Sequence, residues 1–173
     1  DLASALAAGG FDAALVAAPS PLHPDLVAAL MAAGVPTLCE KPCGLRSTDT
    51  ARAAQQAADA GVPLQIGYWR RYVPALQALR AEVESGALGD IALIQAWQWD
   101  GEPPAAAFRR TSGGPLLDMG VHEFDMVRWL TGQDLDLQSV VDSEVTSVDP
   151  VEGDPESVLA VARLSGGGVA VIS

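Results

Sequence analysis

The stretch AALVAAPSPLHPDLVAALMAAGVPTLCEKP, residues 13–42, decides the fold class. It passes from a short, continuously apolar run (13–18) through an apolar-periodic helical stretch (25–33) to a second apolar run (35–39), the order strand, helix, strand. The same grammar repeats immediately, with a helical pattern over 48–60 and a strand pattern over 63–66. Each helical stretch closes on a glycine followed by Val-Pro, Gly34-Val35-Pro36 and Gly61-Val62-Pro63, which suits a C-cap glycine feeding straight into a strand. Strands this short and apolar are those of a parallel sheet buried on both faces. Residues 1–67 are therefore expected to form a β-α-β-α-β part of a doubly wound α/β domain.

Beyond residue 67 the pattern changes. A helix is predicted over 73–85, a strand over 91–99, a helix over 114–130, and strands over 137–145, 157–164 and 169–172. Turn-rich joints such as Asp154-Pro155 and Gly166-Gly167-Gly168 connect the last of them. Residues 68–173 are expected to be a second, α+β domain with a large, mostly antiparallel open sheet. A doubly wound nucleotide-binding domain normally opens with a strand, a G-x-G-x-x-G turn and an acidic residue about 20 positions on. Gly9-Gly10 is not that motif, and the expectation is an internal piece of a longer protein, poorly soluble or without dinucleotide affinity by itself.

Composition narrows the function classes. A hydrophobic fraction of 49% beside 18% charged residues is that of a folded globular chain rather than a disordered one. The formal charge of -12 argues against holding a polyanion through its phosphates, so nucleic acid is not an expected partner. Cys39 and Cys43 fit no zinc spacing and are expected to be reduced thiols, which together with the lack of any apolar run of about 18 residues points to a cytoplasmic protein without a membrane span.

Three constellations carry chemistry. Pro19-Ser20-Pro21-Leu22-His23 turns from a strand end into a helix, where backbone N–H groups meet ligands, although Pro and Ser are also ordinary turn formers. Glu40-Lys41-Pro42 follows a strand directly and puts a lysine at the carboxyl edge of a parallel sheet, where ligands of this fold class bind. In the run from Gly113-Gly114 to Leu130, Asp118, His122 and Asp125 fall at i, i+4 and i+7, one face of a helix turning about 100° per residue. A histidine between carboxylates is a candidate general base. Two carboxylates and one histidine are thin support for a metal, and none is expected. Trp97 and Trp99, two apart on a predicted strand, fit packing on one sheet face, although with Phe108 they also suit stacking on a sugar ring.

Taken in order, Pro19-Ser20 with His23, Glu40-Lys41-Pro42, Gly67-Tyr68-Trp69-Arg70-Arg71-Tyr72 and the Gly-Gly-x-x-x-Asp-Met-Gly-x-His-x-x-Asp run resemble the Gfo/Idh/MocA oxidoreductases over nearly the whole chain. The resemblance implies a Rossmann domain for NAD or NADP and an α/β domain that covers substrate and forms oligomer contacts. It implies oxidation of a secondary hydroxyl of a cyclic polyol or sugar, as in an inositol dehydrogenase, by a homo-oligomer, dimer or tetramer. Lys41, Asp118 and His122 take the catalytic positions; Pro19, Ser20, His23, Glu40, Lys41 and Arg70 the cofactor positions; and Lys41, Tyr68, Arg71, Asp118 and His122 the substrate positions. Ala18 and Ser20 depart from the Thr and Asn that the family often carries around Pro19. A glycosidase of the same fold that uses NAD transiently shares every motif named, whereas a non-catalytic binding member would have lost the Lys41, Asp118 and His122 set.

Overall fold

A computed structural model describes residues 1–102, 104–143, 151–152 and 154–173. The chain divides into two compact units, Asp1–Gly67 and Tyr68–Ser173.

The first unit contains α1 (Leu2–Ala8), β1 (Ala14–Val16), α2 (His23–Ala32), β2 (Thr37–Cys39), α3 (Ser47–Ala60) and β3 (Leu64–Ile66). The strands pair in parallel in the order β1-β2-β3, with Ala14 beside Thr37 and Thr37 beside Leu64. Two right-handed crossovers that step the same way across a sheet lay both helices on one face, and α2 and α3 pack on each other there. Val27, Leu30 and Met31 of α2 close a core with Val16, Cys39, Ala53 and Ala57. Leu15 and Leu38, paired across β1 and β2, remain exposed. The expectation of a sheet buried on both faces thus holds for one face of the described residues, because both crossover helices lie on that side.

Gly61 ends α3 in the left-handed region (φ 63°, ψ 28°), and its N–H reaches the carbonyls of Ala57 and Ala58. A side chain there strains the backbone, so Gly61→Ala is expected to cost about 1 kcal/mol. In a thermal melt the loss reads as a drop of a few degrees.

The second unit contains α4 (Pro74–Glu84), β4 (Leu93–Ala96), α5 (Ala106–Ser112), α6 (Val121–Thr131), β5 (Leu135–Asp142), β6 (Val158–Leu164) and β7 (Val169–Ile172). Its sheet runs β4-β7-β6-β5, parallel at β4-β7 and antiparallel elsewhere. Ala96, Ala160, Ala162 and Ala170 line the inner face beside Leu164 and Ile172, and Val127 of α6 is fully buried against them. Small residues on that face let the helix approach the sheet closely. The end of the strand expected over 137–145 lies partly outside the described residues. Trp97 and Trp99 follow β4 rather than lie within it; they are 47% and 71% exposed and stack on each other, centroids 5.8 Å apart. The expected burial of this pair in sheet packing is therefore not what the fold does, since the strand ends at Ala96.

Candidate active site

In the first unit, all three strands deliver their carboxyl ends to one edge. β1 leads into Pro19 and a 3-10 turn over Ser20–Leu22, β2 into Glu40, Lys41 and Pro42, and β3 into Gly67. The ladder continues past the strands: Glu40 N donates to Val16 O at 2.9 Å, and Gly67 N to Cys39 O at 2.8 Å. The parallel sheet thus brings Pro19, Ser20, Glu40 and Lys41 to the edge where this architecture binds ligands. Glu40 is exposed and Lys41 half-buried. A Cβ on Gly67 would lie 3.1 Å from Glu40 Oε2, so the glycine is what gives that carboxylate its room.

His23, at the start of α2, faces inward and is 1% exposed. Its Nδ1 is 2.7 Å from Pro42 O and its Nε2 is 2.7 Å from Ala18 O. The two cysteines flanking the Glu40-Lys41-Pro42 loop are free and buried. Cys39 Sγ donates to Glu40 O at 3.2 Å. The neighbouring Cys43 thiol, together with burial, pushes the Cys39 pKa up, and Cys39 in turn lowers that of Cys43.

The second unit opens with a 3-10 turn, Trp69–Tyr72, whose two arginines are committed to α6. Arg70 forms an ion pair with Glu123, which has no solvent exposure, and its Nη2 donates to Gln98 Oε1 at 2.6 Å. Arg71 grips Asp125 with two nitrogens, Nε donating at 2.9 Å. That carboxylate holds the Arg71 guanidinium more firmly charged than usual. The Tyr68 and Trp69 rings stand edge-on to the His122 imidazole, each centroid 6.4 Å away. His122 itself is 8% exposed.

The run from Gly113 to Leu130 is not one α-helix. A π-helical turn spans Leu116–Gly120 and passes into α6 at Val121. The regular i, i+4, i+7 face expected for Asp118, His122 and Asp125 is therefore interrupted, because a π turn takes an extra residue per hydrogen-bonded ring. Asp118 lines a cleft with Gln98, Trp99, Phe108, Arg109 and Asp154. His122 stands against the Tyr68 and Trp69 rings, and Asp125 is bound to Arg71. Such turns recur at functional sites, where they re-aim side chains.

The sequence reading missed Glu123, Gln98 and the Arg109–Asp154 pair, whose Nε–Oδ2 distance is 2.6 Å with both side chains nearly buried. The partners Arg70 and Glu123 stand 53 residues apart, and no local spacing signals such a pair. The only cue was two consecutive arginines opening an otherwise acidic chain's second unit.

Comparison with known proteins follows the same division. Residues 1–68 match the family described as "Oxidoreductase family, NAD-binding Rossmann fold", and residues 76–173 match the "GFO/IDH/MocA C-terminal domain". The chain is 48% identical over 166 residues to the rhizopine catabolism protein MocA of Rhizobium meliloti, covering 96% of this chain and 52% of that protein. It is 41% identical over 170 residues to the myo-inositol dehydrogenase Hyg17 of Streptomyces leeuwenhoekii, covering 97% and 52%. A solved scyllo-inositol dehydrogenase from Lactobacillus casei, with bound NAD(H) and scyllo-inositol, superposes with a TM-score of 0.83 at 27% identity, over 100% of this chain and 54% of that one. The chain spans about half the length of the curated relatives it matches.

Proposed function

The chain belongs to the GFO/IDH/MocA oxidoreductase family, and from that membership we propose that the full-length protein is an NAD(P)-dependent dehydrogenase of a secondary hydroxyl on a cyclic polyol or sugar. The observation that supports the reading is the placement of Glu40 and Lys41 at the carboxyl edge of a parallel sheet within a chain that matches this family over residues 1–68 and 76–173.

The donor set at that edge fits the nicotinamide half of a dinucleotide. Glu40 offers an exposed carboxylate to accept from ribose hydroxyls, kept uncovered by Gly67, and Ser20 and Lys41 offer donors. Pro19 shapes the turn beside them, and the substituted Ala18 and Ser20 alter which hydrogen bonds a carboxamide finds there. Bound there, the nicotinamide supplies the hydride acceptor.

The protein's own groups handle the proton and the charge. His122 accepts the hydroxyl proton as general base; Lys41 donates to the oxygen and stabilises developing alkoxide; Asp118 orients the polyol and supports the imidazolium. Tyr68 and Arg71 belong to the substrate side of this reading. Arg70 belongs to its cofactor side, and its bonds to Glu123 and Gln98 make that a role of supporting the wall rather than reaching out. The full-length protein is a cytoplasmic homo-oligomer, a dimer or tetramer, in the same reading. Exposed Leu93, Trp97 and Val141 in or beside the second unit's sheet support association, and no helix among the described residues is long and apolar enough to cross a membrane.

The test is absorbance at the reduced-nicotinamide band for the full-length protein, with NAD and NADP separately, against inositols, aldoses and rhizopine. Reduction with one cofactor and one group of polyols is the expected result. Silence across the panel with cofactor demonstrably bound would overturn the net dehydrogenase reading and favour transient use of the nicotinamide, as in glycosidases of this fold.

A further inference from the structure

A buried imidazole is costly unless its ring nitrogens find partners, and those of His23 face two backbone carbonyls, acceptors that an imidazole serves with one N–H when neutral and with two when doubly protonated. The ring is 1% exposed, with Nδ1 2.7 Å from Pro42 O and Nε2 2.7 Å from Ala18 O. The two carbonyls come from different loops. Ala18 lies between β1 and the Ser20 turn, and Pro42 follows Lys41 directly on the loop that leaves β2. One rigid ring therefore spans the two segments that carry the proposed cofactor and catalytic groups of the first unit. His23 is the first residue of α2, whose Val27 and Leu30 are buried in the core of the first unit.

We propose that His23 is a positioning residue: it touches no ligand, and by bridging Ala18 O and Pro42 O it fixes where the Lys41 side chain starts from relative to the Ser20 turn. The inference rests on the dehydrogenase reading above, in which Lys41 is the group that meets the reacting oxygen. It replaces a direct cofactor contact for His23 with an indirect effect through backbone. An apolar side chain of similar volume fills the space but leaves both carbonyls without the ring, and the Lys41 loop loses a fixed point one residue away. Asparagine and glutamine separate the two halves of the bridge. The Asn amide nitrogen lies near the place of Nδ1 and keeps a donor towards Pro42 O, whereas the Gln amide lies near that of Nε2 and keeps one towards Ala18 O.

The experiment uses the full-length protein and compares wild type with His23→Phe, His23→Asn, His23→Gln and, as the reference for loss of the amine, Lys41→Met. Near-UV circular dichroism and gel filtration establish folding, and kcat, the KM for polyol, the Kd for NAD and the pH profile of kcat/KM are measured for each. The expected result is a folded His23→Phe whose kcat falls about tenfold to a hundredfold, the size of effect that a displacement of about 1 Å produces. Its NAD affinity stays within a few-fold, and its pH profile departs from that of wild type. His23→Asn recovers most of the loss and His23→Gln recovers less, because the Pro42 end is the one that bears on Lys41. Should His23→Phe fail to fold, the Asn and Gln pair decides the matter alone.

Wild-type kcat and pH profile in folded His23→Phe, while Lys41→Met abolishes turnover, would overturn the inference and leave the dehydrogenase reading standing. Equal losses in Asn and Gln that track only the folded fraction would also overturn it. Absence of nicotinamide reduction by the wild type would refute the reading and the inference together.

Discussion

Replacement of His122 by alanine in the full-length protein is expected to lower kcat by about a hundredfold to ten-thousandfold, the range for removing a positioned acid-base group. Cofactor affinity should stay near the wild-type value. The imidazole is 8% exposed and makes edge contacts with the Tyr68 and Trp69 rings, a setting that would keep bulk water from the proposed proton transfer. Packing against two rings needs no particular residue if packing is the sole purpose; a small hole costs stability but not the chemical step. The decisive comparison is therefore between His122→Ala and His122→Gln, which keeps volume and a donor but cannot take a proton at neutral pH. Both should be equally slow. A His122→Gln enzyme with wild-type kcat would remove histidine from the chemistry and leave it a packing residue.

Glu123→Ala is expected to be the most damaging substitution for stability. Glu123 is fully buried, and its carboxylate takes the Arg70 guanidinium, which also donates to Gln98 at 2.6 Å. Removing one partner of a buried pair leaves the other charge without compensation, a loss of about 3–5 kcal/mol. The Arg70 side chain keeps 19% exposure, and water reaching it places the effect near the lower end of that range, about 3 kcal/mol. Denaturant unfolding should show a lower midpoint with an unchanged m value. Removing both charges, as Arg70→Met with Glu123→Leu, should recover much of the loss, because buried pairs replaced by apolar residues of similar volume are often no less stable. If Glu123→Ala and the double variant were equally destabilised, the ion pair would not be the cause.

The parts of the fold read correctly from sequence share a physical basis. Alternation of apolar runs and helical periods, closed by Gly34 and Gly61, is local information, and it placed the three parallel strands within a residue or two at each end. The carboxyl-edge position of Glu40-Lys41 followed from that topology alone. What the sequence did not disclose is non-local or irregular. The π turn at Leu116–Gly120 leaves hydrophobic spacing nearly helical, so its extra residue was invisible to a count of 100° per residue. The Arg70–Glu123 and Arg109–Asp154 pairs join residues far apart in the chain. Histidine 23 could be singled out as part of a turn motif, but whether its ring faces a ligand or two carbonyls depends on the course of both loops around it. Trp97 and Trp99 were expected to serve sheet packing because alternation looked strand-like, yet β4 stops at Ala96 and the pair stacks on itself.

In the proposed reaction hydride passes from a polyol carbon to the nicotinamide, and isotope transfer follows that step itself. Full-length protein is supplied with oxidised cofactor and inositol deuterated at its ring carbons, and the reduced nicotinamide is examined by mass spectrometry. One deuterium is expected in the reduced cofactor for each ketone formed. Deuterium that returns to the sugar product or appears only in solvent, with no labelled reduced cofactor, would contradict the proposed reaction.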